Sequence, residues 1–338
     1  MILETISRKV FVQKSSLALL SLALPVSLLS KSFMEKQSSY DVLIIGGSYA
    51  GLSAAMALGR SRRKVLVLDS GKPCNRQTPH AHNLITHDGD RPADIAQSAR
   101  KQVAAYPTVG FISGNATHFW GNNGAFKVTT EFGDTYEARK ILLATGVRDI
   151  PQPIPGFAEC WGISVLHCPY CHGYEVADAP LGVIANGEMA LEFATLIHHW
   201  SPNLTLFTNG PATFSATDRQ QLKAQGIGIV EKEIAALEHE KGYLRQLTFA
   251  DGSGQAVKAV FARGGVSQPD FVLASGVALG EEGMNKDLIV VDGFGKTPQP
   301  GVYAAGDCAT PMRSLAAAIA AGNMAGAMIN RELIFEAV

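Results

Sequence analysis

The chain has 338 residues and a net charge of −1, with 46% hydrophobic and 17% charged residues. That length supports two globular cores, and the near-neutral balance gives no bulk attraction to nucleic acid or a membrane surface. The 34 glycines suit an α/β protein with many tight strand-to-helix turns, and five cysteines, an odd and sparse set, do not make an extracellular disulfide framework.

Residues 1–38 differ from the rest. Arg8, Lys9 and Lys14 precede an apolar run, Leu17 to Leu29, broken by Pro25. A basic and then apolar stretch fits a signal peptide, but no A-x-A cleavage pattern follows and the run is short for a membrane span. The preferred alternative is a mis-assigned extension, with Met34 leading directly into the first strand. The segment is set aside from the fold. A cytoplasmic location without stable membrane insertion is expected, and the signal-like segment leaves export open.

Tyr40 to Ile45 (YDVLII) reads as a parallel strand buried on both faces. The loop Gly46-Gly47-Ser48-Tyr49-Ala50-Gly51 follows, then a helix over Leu52 to Leu58, a basic turn at Arg60 to Arg63, and a second strand, KVLVL, ending at Asp69. This is a βαβ unit with the G-x-G-x-x-G layout, Ser48 standing at the second glycine position. Such a loop brings backbone close to a pyrophosphate seated on the helix N-terminus, and an acid about twenty residues on takes ribose hydroxyls. Gly46, Gly47, Ser48, Ala50, Gly51 and Asp69 are therefore candidate dinucleotide-binding residues.

Gly71 to His87 is irregular and histidine-rich, with His80, His82 and His87 in no compact ligand spacing. A cofactor-lining loop is expected there. Arg91 to Ala105 is amphipathic and helical, Phe119 to Thr130 is a hairpin about Asn122-Asn123-Gly124, and KILLA is a further buried strand running into Thr145-Gly146.

A stiff Pro151-Gln-Pro-Ile-Pro155 crossover leads to Cys168-Pro169-Tyr170-Cys171-His172. Two cysteines at this spacing form a dithiol candidate: one sulfur attacks a partner disulfide and the other resolves the mixed disulfide. Half a zinc site has the same spacing, with His167 or His172 as further ligands, but no second C-x-x-C exists and no metal is assigned. His172 titrates near neutrality and is a proton-shuttle candidate, or else a structural histidine at a helix start.

Pro180 to Ile184 is a second strand, followed by Ala185-Asn186-Gly187-Glu188-Met189-Ala190 and a helix to His199. This is a second dinucleotide loop with its first glycine replaced by Ala185, and Gly187 is its candidate cofactor contact. The next strand, LTLF, ends in Thr208-Asn209-Gly210, with neither the acid nor the arginine that reads a nicotinamide nucleotide's ribose. Strands are expected at Ile227 to Lys232, Ile234 to His239, Leu244 to Phe249, Ala259 to Ala262 and Leu288 to Val291. Pro300 to Asp307 is a strand running into a Gly306-Asp307 turn, and Ser314 to Ile329 is an alanine-rich helix.

The Gly46–Gly51 loop with Asp69, the Ala144-Thr145-Gly146 strand end, the C-x-x-C between two dinucleotide loops, and Val302-Tyr-Ala-Ala-Gly-Asp307 stand in this order. Together they resemble the thioredoxin reductase family of flavoproteins over roughly Tyr40 to Arg331. The resemblance implies an α/β, three-layer fold of two Rossmann-like dinucleotide-binding domains. The FAD domain (39–150 and 269–338) would be split by an inserted NAD(P)-type domain (151–268) that carries the dithiol, in a homodimer. It implies FAD held also by Asn83, Thr145, Gly146, Gly306 and Asp307, with Cys171 facing the flavin and Cys168 meeting the substrate. Cys-Pro-Tyr-Cys-His looks more like divergent relatives, which include oxygen-using dithiol oxidases of small natural products, than like housekeeping reductases. The family's basic pair for the NADPH phosphate is absent after Phe207, and Arg313 is offset from its Arg-Gln pair near the flavin.

The favoured function is a FAD-dependent thiol-disulfide oxidoreductase, passing electrons between NAD(P)H, FAD and Cys168–Cys171, because Gly187 and Ala190 keep most of the second loop. The alternatives are a FAD-dependent dithiol oxidase with little use of NAD(P)H, and a non-enzymatic redox sensor. The expected partner is a thioredoxin-like protein or a small dithiol or disulfide, and no nucleic acid.

Overall fold

The computed structural model describes residues 39–336. The reading of residues 1–38 as a signal-like or mis-assigned extension lies outside them. In chain order the first elements are β1 (Tyr40–Ile45), α1 (Tyr49–Arg60), β2 (Val65–Asp69), α2 (Pro92–Ala104), β3 (Val109–Ser113), β4 (Ala116–Asn122), β5 (Ala125–Thr130) and β6 (Thr135–Leu143). Strands β3, β2, β1 and β6 lie side by side and parallel. The first half of β6 also pairs antiparallel with β5, and β5 with β4. Strand β1 is apolar on both faces because both are covered: Val42 and Ile44 pack into one core with Leu52 and Leu58 of α1, while Leu43 and Ile45 pack into another with Phe119, Phe126 and Val128 of the β4–β5 hairpin. Helix layer, parallel sheet and antiparallel hairpin make the expected three layers.

The same plan recurs. After β7 (Arg148–Ile150) and α3 (Phe157–Cys160) come β8 (Val165–Leu166), α4 (Pro169–His172), β9 (Leu181–Ile184), α5 (Met189–His198), β10 (Leu204–Phe207), α6 (Ala216–Ala224) and β11 (Gly228–Val230). The meander β12 (Ile234–Glu240), β13 (Tyr243–Phe249) and β14 (Gly254–Ala256) follows, then β15 (Ala259–Ala262) and β16 (Gly265–Ser267). The second parallel sheet has the order β11-β10-β9-β15-β8. Leu181 and Val183 pack with Phe193 and Ile197 of α5, and Ile184 and Phe207 pack with the meander's Ile234, Leu237 and Leu247. Strands β7 and β16 pair antiparallel where the chain leaves the first sheet and returns to it.

The last elements are α7 (Asp270–Ala274), β17 (Val302–Ala304) and α8 (Leu315–Phe335). Strand β17 pairs parallel with β6, so the inserted second sheet splits the first fold in sequence but not in space. Leu288 to Val291, expected as a strand, makes only an isolated bridge between Leu279 and Ile289, while β3 was not anticipated. Helix α8 extends past Ile329 to Phe335, anchored by Ser314, whose hydroxyl accepts from Ala317 N–H.

Two features tie α8 down. Its small residues meet α1 backbone to backbone: a Cβ at Gly322 would fall on the Ala50 carbonyl, and one at Gly326 would stand 2.8 Å from the Ala54 oxygen. Near its C-terminal end, the fully buried ammonium of Lys140 donates to Glu332 and Glu336, at 2.5 Å each, and to Asn123 Oδ1 at 2.7 Å. Burial alone would raise the Glu332 carboxyl, but the hydrogen bonds from Lys140, Lys296 and Tyr303 hold it down to about 2.

Candidate active site

A cleft of about 1230 Å³ runs along the C-terminal ends of β1, β2 and β6. Its floor at one end is the Gly46–Gly51 loop. Gly46 has φ +111°, and a Cβ there would strike the Ala144 carbonyl; a Cβ on Gly51 would strike the Gly46 carbonyl. Ser48 caps α1 with extended backbone and no side-chain hydrogen bond, and the first turn holds no acid. Unmet amide donors at a helix N-terminus, with no acid in the helix's own first turn, suit an anion. Asp69 stands beside the loop and accepts the Gly47 N–H on Oδ1 at 3.1 Å.

Beside that loop, Gly306 (φ +85°) lets the β17 turn approach α1, where a Cβ would stand 2.9 Å from Ala50 Cβ. Asp307 follows it into the cleft. Burial pushes its carboxyl up, against the opposing effect of the Arg313 guanidinium. Arg313 links two acids: Nε donates to Asp307 Oδ2 at 3.3 Å and Nη1 to Asp149 Oδ1 at 2.7 Å. Trp161 Nε1 donates to Asp149 Oδ2 at 3.1 Å. The Trp161 ring stacks between Phe157, at 5.7 Å, and His167, at 5.8 Å. Burial, and then the charge of Arg313, push His167 down to about 4, so its ring is neutral at neutral pH, and its Nε2 has no hydrogen-bond partner. Asp149, Trp161 and the Arg313 link had no assigned role in the sequence. Asp149 and Arg313 are far apart along the chain and meet only because β7 returns beside the β17 turn, so no local signal marks them.

The dithiol lies against the same cleft. Cys168 caps α4, a single turn begun by Pro169, and the two Sγ atoms lie 2.6 Å apart. Cys171 and His172 line the cleft, whereas Cys168 is not part of its lining. The Cys171 thiol, outweighing burial together with the amides of Cys171 and Tyr170, draws Cys168 down to about 7. Cys171 is pushed up, by its bond to Cys168 and then by burial. Burial and the neighbouring His82 push His172 down to about 4. His82 also lines the cleft and stands 3.3 Å from Glu175, just beyond the dithiol. Tyr170, edge-on to Trp200 at 5.5 Å, and Tyr174 are exposed.

Thr145 and Gly146 line the cleft with the glycine loop, Asp69, Gly306 and Asp307. Asn83 does not: it is exposed at φ 58°, with its N–H donating to Asp88, and its neighbours His80 and His82 take the wall. Gly187 sits apart, at the end of β9 in the second sheet. Its N–H donates to Asn186 Oδ1, which also accepts from the Thr213 amide at 2.8 Å, while Asn186 Nδ2 donates to the Thr208 and Pro211 carbonyls. The asparagine thus staples the second loop to the segment after β10. Glu188, exposed, precedes α5 without capping it.

Two linked parallel sheets, a glycine-loop cleft and a paired-cysteine wall define a two-domain dinucleotide-binding oxidoreductase. The chain belongs to the pyridine nucleotide-disulphide oxidoreductase family, whose model matches residues 40–325. It is 31% identical over 308 residues to thioredoxin reductase aclD of Aspergillus oryzae, covering 88% of this chain and 97% of that one. It is 33% identical over 322 residues to thioredoxin reductase tcpT of Claviceps purpurea, covering 89% and 96%. An oxidoreductase of Agrobacterium tumefaciens superposes with a TM-score of 0.83 at 37% identity, covering 88% of this chain and 99% of that one. The family implies FAD, and the cleft fits it: uncapped amides suit the diphosphate, Asp69 a ribose, and the buried, donor-seeking Asp307 a polyol hydroxyl.

Proposed function

We propose that this oxidoreductase works by thiol-disulfide exchange through Cys168 and Cys171. The observation that carries this is the placing of Cys171 and His172 on the wall of the FAD-type cleft, with Cys168 beside Cys171 and outside the lining. Gly46, Gly47, Ser48, Ala50 and Gly51 would hold the FAD diphosphate, Asp69 the adenosine ribose, Asp307 the ribityl chain, and Thr145, Gly146 and Gly306 would allow close approach. Bound there, the flavin supplies the two-electron chemistry that couples the cysteine pair to NAD(P)H or to oxygen.

In the reducing direction the Cys168 thiolate attacks one sulfur of a substrate disulfide, and the other substrate sulfur leaves as a thiolate. Cys171 then attacks Cys168 Sγ, releases the second thiolate and closes the Cys168–Cys171 disulfide. Two electrons pass to the substrate, and two protons complete its thiols. In the oxidising direction the same bonds form and break in reverse, and the substrate dithiol gives up two electrons and two protons. The lowered Cys168 supplies thiolate at neutral pH. The raised Cys171 holds its proton until a base takes it; His172 is neutral and can accept it, but burial makes it a weaker base than the near-neutral shuttle expected from the sequence.

NAD(P)H is the electron donor in the first reading, with a thioredoxin-like protein or a small disulfide as partner, in keeping with the names of the relatives. The chain would act as a homodimer whose inserted domain spans 151–268. The second reading, a dithiol oxidase using oxygen, is favoured by the second loop. There the Asn186 staple occupies Gly187 N–H, Glu188 stands at the helix start, and Asn209 binds the Ile234 amide rather than a ribose. Anaerobic mixing of the flavin-loaded protein with NADPH, and separately with NADH, decides between them. Fast bleaching at micromolar nucleotide establishes the first reading; no bleaching by either, followed by bleaching with a small dithiol, establishes the second.

A further inference from the structure

One charged side chain on the cleft wall has no part in the chemistry above. Arg100 projects from α2 into the wall at the Asp69 end. Its guanidinium carbon stands 4.3 Å from the centroid of the Phe111 ring, on β3. Its Nη1 lies 3.8 Å from Asp69 Oδ2, the oxygen left over once Oδ1 has accepted the Gly47 amide. An aromatic face behind and a carboxylate at its edge hold the group in place before any ligand arrives, which lowers the ordering cost of binding. A guanidinium is planar, weakly hydrated and stacks on rings; an ammonium is a strongly hydrated point charge and does none of this. The side chain is 41% exposed and lines the cleft, so the guanidinium over Phe111 is also accessible to a second flat group there.

We infer that Arg100 is the platform for the adenine ring of FAD, stacking on it while Asp69 takes the adjoining ribose hydroxyls. The inference rests on the assignment of the cleft to FAD. It explains why an arginine stands beside the ribose acid. Asp69, 3.8 Å away, keeps the guanidinium beside the place where the ribose would sit, and Phe111 would complete a three-layer stack. The flavin half of the cofactor, toward Asp307 and Cys171 at the far end of the cleft, gains nothing from it. Arg100 therefore acts on retention of the dinucleotide and on the choice of FAD over FMN.

The test uses the full chain stripped of flavin and titrated calorimetrically with FAD, FMN and ADP. Arg100→Ala should weaken FAD and ADP by about tenfold, the scale of a lost cation–π contact, and Arg100→Lys, which keeps a charge but no flat face, by a smaller factor, both leaving FMN unchanged. Phe111→Leu should weaken FAD and ADP by a smaller factor. Equal losses for FAD and FMN in Arg100→Ala would make the residue a support of the fold and overturn the inference. So would full retention of FAD by Arg100→Lys, or no change in either variant. Failure of the wild-type protein to take FAD would instead overturn the assignment of the cleft itself, and this inference with it.

Discussion

The two cysteines differ because their surroundings differ. Cys168 sits at a backbone turn with amide donors; Cys171 faces inward. With Cys168 drawn down to about 7 from the ordinary 9.0, its thiolate is present above neutrality and lost as pH falls through that value. Iodoacetamide labelling of the reduced protein, followed by mass spectrometry of peptides, should therefore modify Cys168 well ahead of Cys171, with a half-maximal rate near pH 7. Cys168→Ser and Cys171→Ser should each abolish turnover of a dithiol or disulfide substrate while leaving the flavin bound. His172, pushed to about 4, stays neutral until pH falls to that value, so its service as a base should persist across the neutral range and fail on the acid side. His172→Gln should cost on the order of 10²–10⁴ in rate, the usual share of a positioned acid-base group, and remove that acid limb from the pH-rate profile. The dithiol, the glycine loop and Asp69 were legible in the sequence because each is a local pattern. Asp149, Trp161 and His167 were not: their meaning lies in contacts between β7, α3 and the β17 turn. Asn83 came from family likeness, and the chain instead turns His80 and His82 toward the cleft.

At the level of elements, α8 is held by close backbone contact and by a buried ion cluster, and the two respond to different perturbations. Gly322→Val drives methyl groups into the Ala50 carbonyl and should cost about 1–3 kcal/mol or more, read as a lower melting temperature and faster loss of flavin. Glu332→Gln removes the carboxylate shared by Lys140, Lys296 and Tyr303 and should cost about 1–3 kcal/mol in denaturant melts. Because the folded carboxyl lies below its ordinary 4.5, the stability it contributes is complete above that range and is lost as pH falls toward about 2. The variant should therefore differ most from wild type at neutral pH and converge with it in acid. Strands with continuous apolar runs, such as β1 and β15, were readable within a residue or two. Strand β3 was not, because its Val-Gly-Phe core is short and follows a Tyr-Pro-Thr break; its strand state comes from pairing with β2. Leu288 to Val291 has the composition of a strand and bonds the backbone of Ala278, Gly280 and Cys308, but its pairing stops at the one bridge between Leu279 and Ile289.

Across the whole molecule, the cleft is walled by residues from both ends of the described chain, while the second sheet is complete within one continuous stretch. Bound FAD should therefore stabilise the first sheet selectively, by about 2.7 kcal/mol at a hundredfold excess over Kd. Hydrogen exchange with and without FAD should show protection gained in β1, β2, β6 and β17 and little change in β9, β10 and β15. Equal protection in both sheets would mean that they unfold as one unit.

The backbone contact between α1 and α8 also sets an order of events during synthesis. Helix α1 leaves the ribosome early, yet the helix that covers it is the last described element to be made. At roughly 5–20 residues per second the wait is on the order of tens of seconds. During that interval the inserted sheet has every strand it needs, whereas the first βαβ unit holds an uncovered apolar helix face. A nascent chain stalled before Leu315 should thus present one folded body and one segment open to chaperones, and flavin should load only after α8 has been released.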